Sequence, residues 1–320
     1  MATNSTNTLA GLLMLNDERM ADVYPTDVLN DAPVLQQMFA VPASSGGILH
    51  KYLRTLTAPG AGFRLVNEGI TNAAGTFEDV SVSLALLDAT FSRDKAVAVG
   101  YGKGEIAYMD KESLKSLQAA FFGVECSIFR ASINKQFTGL PGSTFWDETG
   151  DEQVVDAGGT GTRSVWLLRS AEDGIAIIAG NEGRVDMARA DAQIQALDSL
   201  SRPYPALQRV IMGWFGLQIG SKYDGVRICN LDGTDDDLLT DDLISSALAL
   251  FPAGRGANMI VMDRTSRKEL QQSRTATNPT GAPAPFPMDA FGVPIIVTEA
   301  LTTEDQLTTS STTTTTTSQD

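Results

Sequence analysis

Histidine is nearly missing from this chain: His50 is the only one in 320 residues. That removes His-rich metal sites and leaves a single candidate base for a nucleophile and base pair. His50 lies in the run Ile48, Leu49, His50, Lys51, Tyr52, which reads as a strand, and no GxSxG or cysteine-nucleophile signature accompanies it. An ordinary strand residue is expected. Cysteine is almost as scarce. Cys126 and Cys229 are far apart and form no CxxC pair, which excludes a zinc ribbon or a disulfide framework and predicts two buried thiols in a reducing cytoplasm. No apolar run approaches the roughly 18 to 20 residues of a membrane-spanning helix. Leu12, Leu13 and Met14 follow no basic segment, so no secretory leader is expected and the product should stay in the cell that makes it. Basic residues are also few: 24 Lys and Arg against 39 Asp and Glu give a net charge of −15, the wrong sign for sequence-independent nucleic-acid binding. Such a charge suits solubility and restrains premature self-association.

Catalytic motifs are missing too. Gly100, Tyr101, Gly102, Lys103 and Gly104 have neither the Walker spacing nor the third glycine of GxGxxG, and read as a bend feeding a helix. Asp232, Asp235, Asp236 and Asp237 lack the residue order of a calcium loop and its closing Glu, so a solvated turn is expected. Asp147, Glu148, Asp151 and Glu152 could supply paired carboxylates, but nothing in the sequence places them in a pocket. Neither a metal nor a cofactor is implied.

What the chain does contain is a series of distinct segments with enough apolar residues, 42%, for a sizeable core. The first 45 or so residues read as an arm, with apolar clusters around Leu29, Val34, Leu35 and Phe39 punctuated by Pro25, Pro33 and Pro42. These clusters look for surface supplied from elsewhere. From 48 to 99 the pattern becomes β-type: Val80, Val82, Leu84 and Leu86 alternate with Ser81, Ser83 and Ala85, and turns are expected at 58–62 and 67–75. A long hairpin-like excursion with one apolar face results. Leu114, Leu117, Phe121, Val124 and Ile128 then lay a stripe along a helix running from an N-cap near Asp110 toward 133, roughly 35 to 40 Å long. Strands follow at 165–169, 174–178, 207–219 and 226–229, the third unusually long. A small α/β unit closes the fold. Its parts are a helix at 241–251 capped by Thr240, a strand at 259–262, a second helix from a Ser266 and Glu269 capping box, and a strand at 294–297. The tail from 308 carries six consecutive threonines and almost nothing apolar, so it is expected to be disordered.

In order, an arm, a protruding hairpin, a spine helix, an elongated sheet and a small α/β unit resemble the major capsid proteins of tailed bacteriophages, the Hong Kong 97-like α+β fold. The likeness extends over most of 25–305. It is carried by Ser164, Val165, Trp166, Leu167, Leu168 and Arg169; by Tyr223, Asp224, Gly225, Val226, Arg227 and Ile228; by Met262, Asp263 and Arg264; and by Phe291, Gly292, Val293 and Pro294. The resemblance implies an N-terminal arm at 1–47, an extended loop at 48–100, a peripheral domain with the spine helix at 101–235, an axial domain at 236–307 and a tail at 308–320. It implies a non-enzymatic subunit that self-assembles through pentamers and hexamers into a shell in the virion, made in the host bacterial cytoplasm. The shell would enclose double-stranded DNA without sequence-specific binding. Inter-subunit contacts would come from Arg64, Asn67, Glu68, Phe77, Val80, Val82, Leu84 and Leu86 of the extended loop, and from Leu29, Val34, Leu35 and Phe39 of the arm. A scaffolding protein would be separate, since the prototype's N-terminal scaffolding segment is missing here; portal and decoration proteins are further expected partners. One departure stands out: the sheet strands at 165–229 precede the axial segments, whereas in the prototype they follow. No Lys, Asn and Glu trio for covalent cross-linking can be matched. A virion decoration or adhesion protein is the alternative suggested by the β content and threonine tail, and a carboxylate-dependent hydrolase is a third.

Overall fold

Gly104 admits the chain to its longest helix, because its backbone at φ 95° and ψ 165° lies where side chains other than hydrogen are excluded. In this computed structural model, which describes residues 8–15, 25–44, 47–57, 60–69, 74–131, 135–160, 162–188, 191–233, 238–278 and 282–301, that helix is Glu105–Ile128. The threonine tail, Asp235, Asp236 and Asp237, and parts of the turns at 58–62 and 67–75 lie outside these residues. Twenty-four residues give about 36 Å, the length expected. The start differs: Asp110 is not the N-cap but sits inside the helix, where its carboxylate accepts from Arg209 Nη1 at 2.7 Å.

The predicted stripe is the buried one. Leu117, Phe121, Val124 and Ile128 are buried, Leu114 is partly so, and Phe121 meets Phe215 edge-on at 5.5 Å. Phe215 belongs to Ile211–Ile219, the central strand of a six-stranded sheet ordered Met14–Leu15, Arg184–Met187, Ile211–Ile219, Ile175–Ala179, Ala40–Pro42, with Ala85–Asp88 also paired to the central strand. The single strand expected at 207–219 is two. Pro203–Arg209 pairs with Ala192–Leu197 and Phe91–Asp94 in a separate three-stranded sheet, and the ladder changes partners at Val210. The bend is pinned by Arg209, fully buried and bonded to Asp191 Oδ1 at 2.7 Å, Asp110 and Ser113.

A second six-stranded sheet runs Asp289–Ala290, Val293–Val297, Met259–Met262, Arg163–Leu168, Gly225–Leu231, Val154–Asp156. Alternation sends its side chains into two cores. Trp166, Leu168, Cys229, Met259 and Val261 join the core shared with the long helix and the first sheet. Val165, Leu167, Val226, Ile228 and Ile260 pack in the core of the helices Asp241–Ala249 and Arg264–Ala276. The boundary expected near 236 therefore falls within one sheet, since strands on both of its sides are hydrogen-bonded neighbours. Thr240 caps the first of these helices as expected, accepting from Leu243 N. The second is capped by Asp263, not Ser266; Ser266 and Glu269 are buried, with Arg163 Nη2 2.6 Å from Glu269. Both cysteines are buried, and neither is in a disulfide.

Residues 25–44 are not a free arm. Leu29, Val34 and Leu35 have no exposed surface, and Phe39 donates its N–H to Ser170 Oγ at 2.8 Å. Ala40–Pro42 completes the first sheet beside Ile175–Ala179. The apolar clusters of this segment find their surface within the same chain, so Leu29, Val34 and Leu35 have none left to offer a neighbour.

Candidate assembly surface

The hairpin Leu49–Thr57 and Thr76–Ser83 is anchored at its root and bare toward its tip. Pairing runs from Leu49 opposite Ser83 to Thr57 opposite Thr76. At the root, His50 bonds to Gln218 Oε1 through Nε2 at 3.0 Å and accepts from Ser44 N through Nδ1, so the single histidine is held on both ring nitrogens. Tyr52 Oη accepts from Ile219 N at 3.1 Å, Arg54 Nε donates to Ile219 O at 3.1 Å, and Thr55 N donates to Gly220 O. These bonds fix the direction in which the hairpin leaves the core.

The expected apolar face divides along its length. Leu84 is buried in a notch where a Cβ on Gly216 would lie 2.6 Å from its Cδ2, so it packs on its own subunit and is not available to a neighbour. Val80 and Val82 are half-buried. Past Leu84 the chain leaves the hairpin for the first sheet and its phase changes: Ala85 and Leu87 turn inward, while Leu86, opposite Trp214, is left 46% exposed. The largest exposed apolar side chains lie farther out: Phe63 at 107%, Val66 at 90%, Leu65 at 77%, with Leu53 and Phe77 also exposed.

Arg64, Asn67 and Glu68 are brought together at the tip, where they build the turn that presents those side chains. Glu68 accepts from Leu65 N through Oε2 at 2.7 Å and donates its own N–H to Leu65 O, Arg64 Nη1 donates to Glu68 O, and Asn67 takes the left-handed φ of 69° that Asn tolerates best after Gly. The family likeness named Arg64, Asn67 and Glu68 as contacts without the turn they build, and Phe63, Leu65 and Val66 were passed over. A cluster of three large apolar residues beside glycine turns and with no period-two pattern was the available signal.

Elsewhere the polar groups serve the fold. Burial raises the Asp147 carboxyl above the usual range, with Asp151 and Glu148 adding to it, yet Asp151 is occupied accepting from Glu148 N. Among the described residues no group of three or more His, Cys, Asp or Glu could hold a metal. An open cleft of about 590 Å³ between the long helix and the small α/β unit is lined by Asp31, Lys115, Gln118, Phe122, Arg264 and Glu299. Across it Arg264 Nε and Glu299 pair at 2.6 Å.

No helix among the described residues is long and apolar enough to cross a membrane. No curated protein matches the sequence. Among solved structures, bacteriophage Epsilon15 is similar with a TM-score of 0.60 and 18% identity, over 85% of this chain and 88% of that one. The bacteriophage JBD30 capsid is similar with a TM-score of 0.50 and 10% identity, over 94% of this chain and 99% of that one. Identities this low carry the fold alone, and the fold they carry is Hong Kong 97-like. The family model of the major capsid protein GP7 matches residues 17–306, and the chain belongs to that family of phage shell-forming proteins.

Proposed function

We propose that the distal half of the hairpin is the clamp by which one subunit holds the next, and that subunits close through pentamers and hexamers into an icosahedral head. One observation carries this reading: a hairpin bolted to its own core at Tyr52, Arg54 and Thr55 exposes Phe63, Leu65 and Val66 beyond its paired strands, and Leu53 and Phe77 along them. A side chain of this size contributes roughly 1.5 to 3 kcal/mol when buried, and in a closed shell the gain recurs at every subunit. Arg64, Asn67 and Glu68 shape the contact, Phe77 joins it, and Val80, Val82 and Leu86 extend its flank. In the same reading the unit around the helices Asp241–Ala249 and Arg264–Ala276 lies toward the capsomer axis, and its sheet includes Arg163–Leu168 and Gly225–Leu231. A separate scaffolding protein directs closure in the host cytoplasm, a portal occupies one vertex, and decoration proteins are further partners. The chain's role is structural, with no reaction assigned to it.

The test replaces Phe63, Leu65 and Val66 by Ser together. The subunit should stay folded, with a melting temperature near that of the parent, and should fail to form shells by electron microscopy in the presence of scaffold. Normal shell yield from the variant would sink the clamp.

A further inference from the structure

Glu125 is a buried acid with no cation paired to it among the described residues. It lies on the long helix, has no exposed surface, and receives hydrogen bonds from two other parts of the chain. Its Oε2 accepts from the backbone N–H groups of Val34 at 2.9 Å and Leu35 at 3.2 Å. Its Oε1 meets the Thr298 hydroxyl, whose oxygen also accepts from Ala300 N at 3.1 Å. One carboxyl thus ties together segments 91 and 173 positions away.

The groups around it do not neutralise it. On its own helix the neighbour is Cys126, whose thiol is raised by burial, and just past the helix end Arg130 acts electrostatically on that thiol. Lining the open cleft outside are Lys115 of the same helix and, from the flanking segments, Asp31, Arg264 and Glu299, the last two paired to each other. Among the described residues none forms an ion pair with Glu125. Burial without a cation favours the neutral acid, and the bonds from Thr298, Leu35 and Val34, which favour the ionised form, do not outweigh it; as the neutral acid its O–H can donate to the Thr298 oxygen while Oε2 keeps both backbone donors.

We propose that Glu125 is a proton-operated latch, closed when protonated, that fastens residues 33–35 and the end of the last strand to the long helix and loosens when the carboxyl ionises. Burial is the main cause that raises this carboxyl from 4.5 to about 7. Because the folded-state value is the higher one, the folded chain holds the proton more tightly than the unfolded chain does. The stability this supplies is fully present below about 4.5 and is lost as pH rises through about 7.

The test compares the full-length parent with Glu125→Gln, an amide that keeps an acceptor for Val34 and Leu35 and a donor for Thr298. Between pH 5 and pH 8 the parent's folding equilibrium constant should fall on the order of a hundredfold more than that of E125Q. Hydrogen exchange at Val34 and Leu35, corrected for its intrinsic pH dependence, should accelerate in the parent alone. Parallel pH profiles in the two proteins would overturn the latch. Should E125Q fail to fold, infrared titration of the parent with ¹³C-labelled glutamate decides the matter. A protonated-carboxyl band that disappears with a midpoint near 7 supports the proposal, and no such band above pH 5.5 refutes it.

Discussion

Leu84 and Leu86 stand two positions apart in one alternating run, and their surroundings give them opposite roles. Leu84 fills a notch made by Gly180 and Gly216, with 6% of its surface left, whereas Leu86 keeps 46%. Truncating the first removes packed methyl groups and leaves a cavity; truncating the second removes little that is in contact. Leu84→Ala should therefore lower subunit stability by about 2 to 5 kcal/mol, and Leu86→Ala by less than about 0.5 kcal/mol. Urea unfolding of the two purified variants measures both, and equal losses would mean that the root of the hairpin is not packed on its own core. The same contrast separates folding defects from assembly defects, because only Leu86 has surface to share with a neighbour.

At the scale of elements, the long helix tests how local backbone chemistry sets boundaries. Gly104 occupies φ 95° with open space around an added Cβ, so replacement by Ala meets no neighbour and strains only the backbone. Gly104→Ala should cost roughly 1 to 3 kcal/mol, read as a drop in the thermal midpoint with an unchanged circular dichroism spectrum; no drop would show that the helix starts elsewhere. The apolar stripe of this helix was legible because Leu117, Phe121, Val124 and Ile128 follow the helical period, and its start was misplaced because Asp110 looks like a cap while serving as a partner of Arg209. The break at Val210 was illegible for a related reason. Residues on both sides of it are strand formers, and what bends the chain is Arg209 meeting Asp191 and Asp110 from distant segments. Burial alone would lower the Arg209 guanidinium, and the bonds to these two aspartates more than offset it. The N-terminal segment misled in the opposite direction: its prolines argued against a compact unit, but Pro33 opens the helix Pro33–Gln37, whose Val34 and Leu35 amides bond to Glu125, 90 and more positions away. At the candidate surface Arg64, Asn67 and Glu68 came from the family likeness, and the turn they build around Leu65 was not legible, since the bend was expected at 67–75. The apolar side chains displayed there were signalled by their cluster beside glycine turns, but their exposure was not, since exposure is a property of the folded hairpin.

For the molecule as a whole, the charge of −15 sets two forces against each other during self-association. Each added subunit brings the same excess of acid toward its neighbours, which opposes growth over a range set by the screening length. The contact proposed at the hairpin tip would act differently, because Phe63, Leu65 and Val66 are apolar and burial of them is nearly indifferent to simple salt. Raising sodium chloride from about 0.1 M to about 1 M shortens the screening length from about 10 Å to about 3 Å. The repulsion then fades while the tip contact persists. Assembly followed by light scattering at fixed protein and scaffold concentration should begin at a lower subunit concentration in high salt, and the folded subunit should show little change in its melting temperature over the same range. If salt instead raised the concentration needed, attraction between opposite charges, for instance Arg64 of one subunit with acidic groups of the next, would govern the contact in place of burial at Phe63, Leu65 and Val66.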